Sequence, residues 1–330
     1  DQASGSLNDK VELIANGTLT AQGATFSSLE DTSVQWGGLF LNGPVTLHGC
    51  TIRNARYGAK VGADSGTIGG SALSDGNTFS ACDYGVYADG RTGTVVRNNK
   101  IDASGSAGIY LSGGTATVQQ NLLTAIQTYG VDVDQGAAAT IVNNTLDARP
   151  ANSATGVYVH TNATATLTSI AAQGLSNGGI RTDSSGSPGV VAQYYLSQDN
   201  GTGTYRDLAG TLAATRRALF SDPRYVDRAG SNFHLSNTSP ALDAGDSTLQ
   251  DPNPHAGRID IGRYGGTIEA DSSLGPILME DYFVSGSAPG WSKLSGTEGS
   301  GSITSMSSSR STGSRSANSP GSSGTPAVRI

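Results

Sequence analysis

Apolar and polar residues alternate in short bursts along most of this chain, without the three-to-four spacing of an amphipathic helix. Six bursts open on glycine: G-A-K-V from Gly58, G-V-Y-A from Gly85, G-I-Y-L from Gly108, G-V-D-V from Gly130, G-V-Y-V from Gly156 and G-I-R-T from Gly179. These glycines are 27, 23, 22, 26 and 23 residues apart. A second apolar series, Ile52, Phe79, Ile101, Leu123 and Leu146, keeps steps of 27, 22, 22 and 23. Two residues before each of these stands Cys50, Asn77, Asn99, Asn121 or Asn144. Three columns keeping one period define a repeat.

The period selects the architecture. Each unit holds two or three short strands, and roughly 22 residues at about 3.3 Å each make one polygonal coil. The fold class that follows is all-β: a right-handed parallel β-helix of about eight coils, from about residue 10 to about 205. G-T-L-T-A-Q-G from Gly17 and W-G-G-L-F-L from Trp36 supply the first coils, and residues 63–76 form an inserted loop in the long second repeat. The leucine-rich repeat has a similar length, but its L-x-x-L-x-L-x-x-N frame is absent. The Asn column predicts side-chain amides stacked from coil to coil, with Asn in the left-handed conformation at a tight corner.

On these repeats the chain resembles secreted bacterial right-handed parallel β-helix proteins, related in fold to pectate lyases. S-P-A-L-D-A-G-D at 239–246 and G-R-I-D-I-G-R-Y at 257–264 are similar to the segment that ends such helices, and Asp222-Pro223 belongs to the same ending. Within it, Asp243, Arg258 and Asp260 are expected in turn and capping contacts. The resemblance covers about residues 10–265 and implies a fold rather than an activity. Residues 277–297 are similar to the opening strand of jelly-roll-like modules, and 299–330 hold 12 Ser and three Arg with no Asp or Glu. The expected division is a β-helix with its ending over 1–265, then a linker and a shortened β-sandwich-like segment, with a Ser/Gly-rich tail, over 266–330.

Composition narrows the function classes. Glycine fills 46 of 330 positions, about twice the usual share, and charged residues only 14%, which excludes coiled coils and helical bundles. The net charge of −7 argues against nucleic acid. No apolar run reaches the roughly 18 residues of a transmembrane helix. The opening D-Q-A-S-G-S is that of a mature or excised fragment. Cys50 and Cys82 are offset by about five positions and one coil, roughly 15 Å, beyond the reach of a disulfide. Both are expected free and at least partly buried. His48, His234 and His255 lack metal-ligand spacing.

Alternation turns Val86, Ala88, Ile109, Leu111, Val131, Val133, Val157 and Val159 inward. The residues between them form two outward columns. One runs Lys60, Tyr87, Tyr110, Asp132, Tyr158, Arg181; the other Gly62, Asp89, Ser112, Asp134, His160, Asp183. Tyrosine offers an apolar face and a hydroxyl, which suits sugars. The expected ligand-binding residues are Lys60, Tyr87, Asp89, Tyr110, Asp132 and Tyr158. The expected catalytic set is His160, Asp134, Asp183 and Arg181, with His160 between Asp134 and Asp183 and those carboxylates roughly 9.6 Å apart, near the upper limit for inverting glycosidases. No cofactor is required. Ca²⁺ is a candidate ligand of Asp132 and Asp134, with Asp89 nearby.

Three readings stay open. The first is a secreted or cell-surface scaffold that binds polysaccharide or a cell-surface glycan. The second is a polysaccharide lyase or glycoside hydrolase acting on the same face. The third is a structural solenoid that self-associates end to end through its open strand edges.

Overall fold

The computed structural model describes residues 11–28, 35–102, 104–148, 153–183, 189–201, 208–209, 214–252 and 257–271, together with 314–316 and 327–329. The chain divides into two units, Asp1–Asp271 and Ser272–Ile330. In the second, Ser314–Ser316 pairs antiparallel with Ala327–Arg329. The jelly-roll-like stretch 277–297 and His255 lie outside the described residues.

The first unit is a right-handed parallel β-solenoid with three sheets of nine strands each. Successive strands of a sheet come from successive coils: on the first face Tyr84–Asp89 pairs with Ala107–Ser112, which pairs with Tyr129–Asp134. Nine strands give eight steps from coil to coil, and the stack reaches Leu219–Phe220, about one coil beyond the predicted end. Residues 63–76 are not wholly an insertion. Thr67–Ile68 is a regular second-face strand, and the extra length lies after it, around the single turn Leu73–Asp75.

The interior is apolar, as the alternation requires. Val86, Ile109, Val131, Val157 and their neighbours on all three faces are buried, and Cys50 and Cys82 are free and buried among them. The repeat glycines are needed for closeness rather than for an unusual φ. A Cβ at Gly58, Gly85, Gly130 or Gly156 would stand 2.4–2.6 Å from the carbonyl oxygen of the next glycine in the column.

The asparagine ladder is present. Asn77 Nδ2 donates to Asn99 Oδ1 (3.0 Å), Asn99 to Asn121 (3.1 Å) and Asn121 to Asn144 (3.0 Å). Those three oxygens also accept the backbone N–H of Asn77, Asn99 and Asn121, and Asn77 Oδ1 accepts that of Cys50. The left-handed residue, however, is the one before the last three ladder positions, Asn98 (φ 61°), Gln120 (55°) and Asn143 (51°), whereas Gly76, before Asn77, is extended at φ −68°. That kink turns the ladder side chain inward, where the stacked amides satisfy buried groups that water cannot reach.

The ending covers more than the last coil. After the antiparallel pair Tyr225–Asp227 and Asn232–Leu235, residues 239–252 and 257–266 run back along the corner between the second and third faces. Tyr194 and Ser169 meet Ser247 and Asp246, Asn143 Nδ2 donates to the carbonyls of Asp260 and Gly262, and Gln120 to that of Gly265. Arg263, 2% exposed, reaches furthest back, donating to the carbonyls of Asn98 and Asn99. Leu235, Ala241, Leu242 and Ile261 pack on Ala171, Tyr194 and Leu196. Asp243, Arg258 and Asp260 make the expected turn contacts: Arg258 donates to the carbonyls of Ala244 and Gly245, and Asp260 accepts the N–H of Asp243.

Candidate functional site

The first face carries the predicted outward columns in register. Lys60, Tyr87, Tyr110, Asp132, Tyr158 and Arg181 are successive partners, as are Asp89, Ser112 and Asp134. A third column was missed. Tyr57, Tyr84 and Tyr129 are half-exposed on the same face, each immediately before a repeat glycine. Strict alternation places them inside. The close-packed glycine and the residue after it are both buried, so the alternation slips by one and the preceding tyrosine turns out. A Tyr-Gly pair at three of the six repeats was the available signal.

Two zones result. On the earlier coils Phe40, Tyr57, Tyr84, Tyr87 and Tyr110 form one continuous group, with ring centroids 4.8–5.7 Å apart. Lys60 Nζ stands 5.2 Å from the Tyr87 ring and 3.1 Å from Asp89, and the Arg56 guanidinium lies 4.9 Å from the Tyr57 ring. Burial, with the Asp89 charge, pushes the Tyr87 hydroxyl above its ordinary range. Burial also raises Tyr110, which donates to Asp134 Oδ2 at 2.9 Å.

On the later coils the face becomes ionic. His160 Nε2 approaches Asp132 Oδ1 to 2.9 Å, and its Nδ1 lies 3.6 Å from Asp183. His160 keeps its expected backbone place, one strand from Asp134 and one from Asp183, but its side-chain contacts differ. The imidazole leans across to Asp132 in the neighbouring column. Asp134 is occupied by the Tyr110 hydroxyl and by the N–H of Gln135 (2.6 Å). Asp132 is outward in register yet only 6% exposed. Burial pushes its carboxyl up to about 6, against the opposing pull of His160.

Asp183 moves the other way. The Tyr158 hydroxyl donates to it at 2.5 Å, with further donation from the N–H and hydroxyl of Thr161, and these hold it below the ordinary carboxylate range. Burial is the main reason that Tyr158 is raised to about 12. Its ring lies 4.2 Å from His160 and stacks on Tyr129 at 5.3 Å, and Arg181 covers it at 5.4 Å.

The oxygens of Asp132 and Asp134 serve different partners, and the described residues contain no group of three or more His, Cys, Asp or Glu able to hold a metal ion. Calcium asks for six to eight converging oxygens. Among the described residues no helix is long and apolar enough to cross a membrane.

No curated protein matches the chain. Residues 33–200, just over half of it, match the family described as right handed beta helix region. That span holds the asparagine ladder, the glycine column and both zones of the first face. With the parallel three-sheet stack and its coil-to-coil register, it establishes that the chain belongs to the right-handed β-helix family.

Proposed function

We propose that this protein is an extracellular or cell-surface scaffold that binds a polysaccharide along its first face. The observation that carries this reading is the continuous group of five rings, Phe40, Tyr57, Tyr84, Tyr87 and Tyr110, half-exposed on a flat parallel sheet. Half-exposed rings with hydroxyl edges suit the alternating C–H and O–H surfaces of sugars, and coils stacked about 4.8 Å apart extend that surface along a chain-like ligand. Cross-strand packing alone would also favour tyrosine here, at a few tenths to about 1 kcal/mol per pair. The experiment that separates the two is glycan-array binding of the wild type and of Tyr87→Ala and Tyr110→Ala. Binding lost in both variants while the fold persists supports the scaffold; absence of wild-type binding across neutral and uronic-acid glycans removes it.

A second reading, cleavage of the bound polymer, is favoured by the ionic zone. Environments that push two neighbouring carboxyls apart mark an acid and a base. Asp132 is raised and Asp183 lowered, with His160 touching both. In this reading Asp132 donates its proton to the leaving glycosidic oxygen while Asp183 takes a proton from the water that attacks the anomeric carbon, and Tyr158 and His160 position them. Products released from a glycan panel by the wild type, and lost in Asp132→Asn, support it. Binding without products leaves the scaffold alone.

A further inference from the structure

The outward side chains of the first face are joined diagonally, from one column to the other and from one coil to the next. Lys60 Nζ reaches Asp89 at 3.1 Å, and the hydroxyls of Tyr87 and Ser112 meet. Tyr110 donates to Asp134 at 2.9 Å, His160 Nε2 lies 2.9 Å from Asp132, and Tyr158 donates to Asp183 at 2.5 Å. Each pair links the column that runs from Lys60 to Arg181 with the following coil of the column that runs from Asp89 to Asp183. Every second pair ends on a carboxylate. Asp89, Asp134 and Asp183 therefore stand two strand intervals apart, roughly 9.6 Å, with Ser112 and His160 between them. All three carboxylates are half-exposed, whereas Ser112 is buried. The backbone repeats once per coil, so the fold itself does not impose this doubled period.

The cations of the face are already engaged with rings and acids. Lys60 is held by Asp89 and lies near the Tyr87 ring, Arg56 lies over Tyr57, and Arg181 over Tyr158. The acid column, Gly62, Asp89, Ser112, Asp134, His160 and Asp183, holds neither Lys nor Arg.

We propose that the ligand of this face is a neutral, extended polysaccharide with a two-fold chain, of the β-1,4-linked glucan or mannan class, lying along the solenoid axis with every second sugar beside an acid. This rests on the reading of the first face as a polysaccharide-binding surface. In a two-fold chain successive sugars are turned over, so one hydroxyl edge recurs at every second unit, and two extended units advance by close to two coil spacings. A hydroxyl bonds to a carboxylate more strongly than to a neutral acceptor. Tyr87 and Tyr110, in the column beside the acids, take the C–H faces of the sugars. A uronate chain would bring its own carboxylates along this row, and like charges placed together suppress binding. A coiled, α-1,4-linked chain presents no edge at this interval.

Titration calorimetry of the full chain with defined hexasaccharides tests this. The set is β-1,4-linked glucose, β-1,4-linked mannose, α-1,4-linked glucose and α-1,4-linked galacturonate. A β-linked chain should bind, with an affinity that added salt leaves unchanged because the ligand carries no charge. The two α-linked chains should bind about tenfold more weakly or not at all, the equivalent of one lost bond to a charged group. In a length series of the bound chain, affinity should rise by a larger factor at every second added sugar. Asp89→Asn and Asp134→Asn, both at half-exposed positions, should each weaken binding by about threefold to tenfold with the urea midpoint little changed. Galacturonate or α-linked glucose bound as tightly as the β-linked chains overturns the class, and the glycan-binding reading stands. An even rise with length, or unchanged binding in both variants, overturns the two-coil register with the same reading intact. Binding of none of the four chains overturns this inference, and the wider glycan array then decides the scaffold reading separately.

Discussion

The first and third faces are built from the same repeat, yet their outward positions lead opposite lives. On the first face they are tyrosines, acids and cations, mostly half-exposed, with Ser112 and Asp132 buried. On the third face they change character along the stack. The early coils show Thr51, Arg53, Thr78, Ser80, Lys100 and Asp102; in the later ones the first outward position becomes Leu122, Thr145, Ala171 and Leu196, while the second stays polar as Thr124, Asp147, Gln173 and Gln198. The switch falls where the returning segment begins to cover the sheet, and the later residues at that first position are buried. An outward position in a solenoid is therefore either a surface or an interface, and its residue type says which.

The largest expected effect breaks this comparison most directly. Leu196→Asp places an unpaired charge beneath the returning segment and should cost about 3 kcal/mol or more, read as a lower urea midpoint. Tyr87→Asp, equally outward but half-exposed, should cost only about 1 kcal/mol. Equal losses would erase the distinction between the faces. Next comes Arg263→Ala, which removes the guanidinium bonds to the carbonyls of Asn98 and Asn99, the latter still accepting the N–H of Leu122, and should cost about 2 kcal/mol in the same titration.

Asp132→Asn has a smaller effect with a definite sign. The folded protein raises this carboxyl to about 6 from an ordinary value near 4, so its charge costs stability that is present at low pH and lost between about pH 4 and 6. The variant should be more stable than the wild type at pH 7, by on the order of 1 kcal/mol, and about equal at pH 4. A wild-type advantage at pH 7 would show that the His160 contact outweighs burial. The smallest effect belongs to Tyr110→Phe, which removes one half-exposed bond to Asp134 and should cost about 0.5–1 kcal/mol in thermal unfolding.

Much of this was legible in the sequence because a solenoid writes its contacts at a constant interval. The glycine, apolar and asparagine columns located the stack, the inward residues, the ladder and the unbonded cysteines. What escaped has no such interval. The backbone slip at the repeat glycines hid Tyr57, Tyr84 and Tyr129, because alternation assumes an unbroken pleat. The His160–Asp132 contact crosses between columns, and only side-chain orientation decides it over Asp134. The path of the returning segment depends on contacts such as Arg263 with Asn98, separated by 165 residues. Leu122 and Leu196, each beside an inward position, were its one trace in the repeats themselves.

The glycine column has a consequence for how such a molecule can change in length. At this column each coil meets the next through the same backbone-to-backbone approach, with one apolar side chain, such as Phe79, Ile101 or Leu123, packed against the glycine. One whole turn of the stack could therefore be copied or removed within the span from Gly85 to Gly130 and leave the seam on either side closed. What would shift is the spacing between the aromatic zone and the ionic zone, by one strand interval at a time. Length is then a discrete setting of the first face, adjustable without redesign of the core.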